Sequence, residues 1–82
     1  MSIPGRQLAR LLEQDGWIRG RRTRHGISFT KHFAGERIPR STVIPDKSDD
    51  LPSGTLGTIL SVKQTGLGSR GLQELIEKHG LQ

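Results

Sequence analysis

Apolar residues recur along the chain with two different periods, and the change from one to the other outlines the elements. Leu8, Leu11 and Leu12 follow Pro4 at i, i+3, i+4 spacing, and Gly16 supplies a stop, so 4–15 is predicted to be an amphipathic helix. Arg6, Arg10, Glu13 and Gln14 take its wet face. Trp17 and Ile18 open a segment running toward Arg22 that is too short and too charged for a helix and reads as an edge strand. Thr23 and Arg24 fall in the turn. From His25, Ile27, Phe29 and Lys31 share one parity, and Gly26, Ser28 and Thr30 the other; this is the pattern of a half-buried central strand.

After a turn at Ala34-Gly35-Glu36, the segment from Arg37 to Ile44 contains Ile38, Thr42, Val43 and Ile44 and is predicted to be a third strand. Pro39 cannot donate to a ladder, which places this strand at an edge. Pro45 to Ser53 reads as a loop. Thr55 to Val62 has Leu56, Ile59 and Leu60 at helical spacing, with Ser53 as N-cap. A last helix is expected from about Ser69, with Leu72, Leu75 and Ile76 as its stripe, a Glu74–Lys78 pair in support and Gly80 as its end. The expected fold is α+β: a helix, a three-stranded antiparallel meander and two helices, with all helices on one face of the sheet.

Length and composition restrict what such a fold can do. With 82 residues the chain is expected to form one domain over 1–82, and Leu, Ile, Val and Phe make up about a quarter of it, enough for a core. A domain this short buries only ~60% of its unfolded surface and leaves little room for an enclosed cofactor cavity, which argues against most cofactor enzymes. Cysteine is absent, which removes disulfides and thiolate metal sites and favours a reducing cytoplasm. No apolar run has the length of a signal or a membrane span, so no membrane partner is expected.

Charge changes the picture more. Residues 1–40 carry nine cations and three anions (+6), and residues 41–82 four cations and five anions (−1). The density peaks at Arg19, Arg21, Arg22 and Arg24, with Lys31, Arg37 and Arg40 beyond. Like charges this close repel, and a polyanion neutralises them. A merely solvated basic hairpin is the plain alternative.

The chemistry-bearing motifs are few. Gly66-Leu67-Gly68-Ser69-Arg70-Gly71 matches a dinucleotide-binding glycine pattern, but a helix rather than a strand is expected before it, so it reads as a flexible link. His25, His32 and His79 are far apart in sequence, and Asp46, Asp49 and Asp50 lack a ligand-like repeat, so no metal site is expected. His25, next to the arginine cluster, is the candidate for chemistry. An imidazole can take the proton of a ribose 2′-hydroxyl while guanidinium groups hold the phosphate, although the parity of His25 places it with Ile27 and Phe29.

The run Gly5-Arg6-Gln7-Leu8, Leu11-Leu12, Asp15-Gly16-Trp17, a basic turn into His25, then Leu51-Pro52-Ser53-Gly54-Thr55-Leu56 and Ile59-Leu60 resembles the HicA family of toxin-antitoxin toxins over residues ~3–67. The resemblance implies a double-stranded-RNA-binding-like α-β-β-β-α domain, here with an extra C-terminal helix, that cleaves mRNA without a cofactor. It also implies an essential histidine opening the second strand, matched by His25, and a HicB-like antitoxin as protein partner. The expected function is thus a metal-independent mRNA endoribonuclease with His25 as base. Arg22 and Arg24 are expected on the scissile phosphate, Arg19, Arg21 and Lys31 on other RNA contacts, and DNA is not expected as a ligand by itself. The rival is a non-catalytic RNA-binding module that uses the same hairpin.

Overall fold

The computed structural model describes residues 2–81 and has the expected α+β order, with three helices and a three-stranded antiparallel sheet. The first helix, α1 (Gly5–Gln14), buries Leu8, Leu11 and Leu12. No side chain caps its start; the Arg6 N–H donates to the Lys47 carbonyl at 3.0 Å, and the segment after the sheet thereby satisfies an otherwise orphaned donor. At its other end Gly16 adopts φ 95°, the Trp17 N–H returns to Leu12 O at 2.9 Å, and the Gly16 N–H reaches Glu13 O at 3.1 Å. This is a Schellman closure, and it turns Trp17 into the core.

Three strands follow, β1 (Ile18–Thr23), β2 (Gly26–Lys31) and β3 (Arg40–Ile44), with β2 in the middle. Ile27 and Phe29 of β2 pair with Ile44 and Thr42 of β3 and share their face, and all four are buried. Leu56, Ile59 and Leu60 from α2 (Ser53–Leu60) and Leu72 and Leu75 from α3 (Gly68–His79) complete one continuous cluster with α1. The opposite sheet face carries Ser28, Thr30, Ser41 and the exposed Ile18 and Val43.

Five expectations need correcting. The turn of the first hairpin is Arg24-His25 and not Thr23-Arg24, because Thr23 pairs with Gly26 as the last rung of the ladder. The third strand starts at Arg40 and not Arg37, immediately after the proline that cannot join the ladder. Helix α2 ends at Leu60 and not Val62, and Ser53 is its first helical residue with no side-chain cap bond. Glu74 and Lys78 stand at i, i+4 without closing an ion pair among the described residues.

β1 is irregular at its middle. Arg19 faces Phe29 and Arg22 faces Ile27, so Gly20 and Arg21 together oppose Ser28 in a β-bulge. The Ser28 hydroxyl donates to Arg21 O at 3.3 Å and fastens the extra residue. Space is tight there, since a Cβ at Gly20 would overlap Ser28 Oγ.

Candidate nucleic-acid interface

The site is built around the tip of the β1–β2 hairpin. Thr23 holds the two-residue turn from both sides: its Oγ1 accepts the His25 N–H at 3.2 Å and donates to Gly26 O at 3.1 Å. Gly26 has φ 143°, and a Cβ on it would overlap Ile44 O and stand 2.9 Å from Pro45 Cα. A glycine is thus required by both conformation and space, and it seats the turn against the end of β3. His25 is exposed on this turn rather than directed with Ile27 and Phe29, because the strand begins one residue later than its alternation indicates.

Arg22, Arg24 and His25 on one side and Pro45, Asp46 and Lys47 on the other line a shallow depression of about 170 Å³. Asp46 links the two sides. Arg22 Nη2 donates to its Oδ2 at 2.7 Å, and Nε of Arg6, from α1, donates to its Oδ1 at 3.1 Å. Hydrogen bonds from Arg22 and then Arg6, with their positive charge, hold the Asp46 carboxyl below its ordinary range.

The cations singled out in the sequence divide into two sets. The bulge lets Arg19 and Arg22, three residues apart, share the helix-facing side of the sheet, where both are ion-paired. Arg19 makes a two-pronged contact with Glu13 of α1, Nε to Oε2 at 3.0 Å and Nη2 to Oε1 at 3.1 Å, and its guanidinium lies 5.3 Å from the centre of the Phe29 ring. Those hydrogen bonds lower the Glu13 pKa and raise that of Arg19, against a smaller opposing effect of burial. Lys31, at the far end of β2 from His25, is drawn to Asp15 O at 2.5 Å and Oδ2 at 3.3 Å and lies over Phe33. Arg40 grips Glu36 and the Val62 carbonyl. Arg21 and Arg24, by contrast, are exposed and make no ion pair among the described residues, as is also true of Lys47.

The alternation of residues along the chain assigns no role at the site to Arg6 or Asp46. Their link spans 40 residues and no local motif announces it; only Gly20, a glycine inside a strand, signals the bulge that brings Arg22 to the same carboxylate. Elsewhere, Gly66 and Gly68 stand at the junction of α2 and α3 with φ 71° and 66°, and the element immediately before them is a helix, α2, rather than a strand. No three His, Asp or Glu side chains converge among the described residues. A scan against family models and searches of curated proteins and of solved structures return no match.

Proposed function

We propose that the chain is an mRNA endoribonuclease of the HicA type, the toxin of a toxin-antitoxin pair, acting in the cytoplasm with His25 as general base. The observation that carries this reading is the exposed imidazole on a braced turn, in one depression with Arg22, Arg24 and Lys47. Imidazole is the commonest general base at neutral pH, and guanidinium groups match phosphate oxygens in geometry and charge. The sequence resemblance and the shared α-β-β-β-α order supply the rest.

In the proposed reaction His25 takes the proton of a ribose 2′-hydroxyl. The 2′-oxygen then bonds to the adjacent phosphorus as the bond from phosphorus to the 5′-oxygen breaks. That oxygen leaves with a proton from water or imidazolium, giving a 2′,3′-cyclic phosphate and a 5′-hydroxyl end. Arg24 and Arg22 offset the charge that grows on the phosphate oxygens. The partner is a HicB-like antitoxin that covers the hairpin tip.

Purified protein and its His25→Ala variant, incubated with single- and double-stranded RNA in the presence of a chelator, test this directly. The parent is expected to cleave and the folded variant to lose ~10²–10⁴ of the rate. Equal cleavage by both would remove His25 from the mechanism, and binding without cleavage by the parent would leave an RNA-binding module.

A further inference from the structure

We propose that Arg6, Asp46 and Arg22 form a latched phosphate site, in which the Asp46 carboxylate occupies the place of one phosphodiester group until a polyanion displaces it. Phosphodiester as the incoming anion rests on the ribonuclease reading; the latch itself does not.

Two guanidinium groups converge on one carboxylate, one at each oxygen. Arginine meets carboxylate and phosphate with the same fork of donors, so two arginines spaced for the first are spaced for the second. The carboxylate is the fixed member. Lys47 N–H returns to Pro45 O at 3.0 Å, Arg6 N–H holds Lys47 O, and Gly5 packs so closely that a Cβ on it would overlap Pro45 O. The arginines are held only by flexible stems, with side chains 58% and 67% exposed. They are the parts free to exchange partners.

The position gives the exchange a purpose. Arg22 and Asp46 line the depression that holds His25, and Arg24 and Lys47, which form no ion pair among the described residues, stand beside them. An aspartate is ionised at neutral pH in any case, and the two guanidiniums favour the charged form further, so the carboxylate is the competing anion. Exposed ion pairs are weak, which makes the exchange of carboxylate for one phosphate close to even. A single phosphate therefore gains little, whereas a chain of phosphates that also engages Arg24 and Lys47 gains enough to open the latch.

The test compares the full chain with Asp46→Asn, its fold checked by circular dichroism, using inorganic tripolyphosphate and a short uridine oligomer as probes. Removing the charge is expected to tighten both by between about two- and tenfold. The log–log salt dependence of oligomer binding should steepen by about 0.7 for each arginine released. Adding Arg6→Ala and Arg22→Ala to that variant should cancel the gain. In the unmodified protein, tripolyphosphate should shift the Nε–H resonances of Arg6 and Arg22 over one concentration range, a measurement that needs no variant to fold. Unchanged or weaker binding of both probes by Asp46→Asn, or motionless arginine resonances, would overturn the latch. A gain seen with tripolyphosphate while the oligomer binds neither protein would uphold the latch and discard RNA; oligomer binding that ignores the substitution would uphold RNA and discard the latch.

Discussion

Gly26 lies against the carbonyl of Ile44 so closely that a Cβ on it would overlap that oxygen. The close approach joins the start of β2 to the end of β3 and fixes the turn that carries His25. With φ at 143°, an alanine at this position meets both backbone strain and a clash with backbone. Gly26→Ala is expected to cost at least about 2 kcal/mol and to lower Tm by about 4–8 °C for each kcal/mol. Thermal unfolding followed by circular dichroism measures this, and an unchanged Tm would show that the close approach is not required.

The two sets of cations are separable by experiment. Arg21→Ala with Arg24→Ala should reduce the salt slope of RNA binding by about 0.7 for each phosphate no longer neutralised and leave Tm within about 1 °C. Arg19→Ala and Lys31→Ala should instead each lower stability by about 0.5–1 kcal/mol, because their charges hold α1 against the sheet. Equal effects of both pairs on the salt slope would contradict the division.

Acid should loosen the links between α1 and its neighbours. Glu13 and Asp46 both have folded pKa values below their ordinary ones, so what they contribute is present above the unfolded value and disappears as pH falls through the folded one. Tm is expected to hold steady from neutrality to about pH 5 and then decline. In Glu13→Gln with Asp46→Asn the decline should be shallower; an identical acid limb would show that neither carboxylate takes part.

Arg40 ties three segments together, donating to Glu36 on one side and to the Val62 and Gln64 carbonyls on the other, with Phe33 alongside. Losing hydrogen bonds of a partly buried guanidinium typically costs more than losing an exposed pair. Arg40→Ala should lower stability by about 2 kcal/mol, measured by urea unfolding, without changing the affinity for RNA.

A HicB-like inhibitor that presents carboxylates to the hairpin and buries His25 should protect 19–31 most strongly in hydrogen exchange on the complex. It should also associate faster at low salt, since steering is screened over ~8 Å at physiological ionic strength. Protection confined to 55–80, with RNA still bound, would discard direct capping.

The order of elements was legible because the periods of Leu8-Leu11-Leu12 and of Ile27-Phe29 differ, and because Gly16 and Pro39 act within one or two residues. His25 stood out from His32 and His79 by its place beside the arginine cluster and by the resemblance, but its direction did not: alternation counts a residue as strand until some contact stops it, and here the stopping contact is the Thr23–Gly26 rung. The partners of Arg22 and Arg6 were hidden for a different reason. Asp46 lies 24 and 40 residues from them in sequence, and such pairings exist only after the sheet has formed.

The bulge at Gly20-Arg21 means that β1 is written in two reading phases. A regular strand would group Arg19 with Arg21 and Arg22 with Arg24; the extra residue groups Arg19 with Arg22 and leaves Arg21 to solvent. Loss of a single residue at the bulge would merge the phases into one. Strand and helix would then be tied by arginines two apart on the same face, and net charge and hydropathy would scarcely change. Arg19 would still face Phe29 and Arg22 would still face Ile27 beside Asp46, so the extra residue does not choose which guanidinium enters the depression; it lengthens the strand by one position without turning either arginine away from its carboxylate.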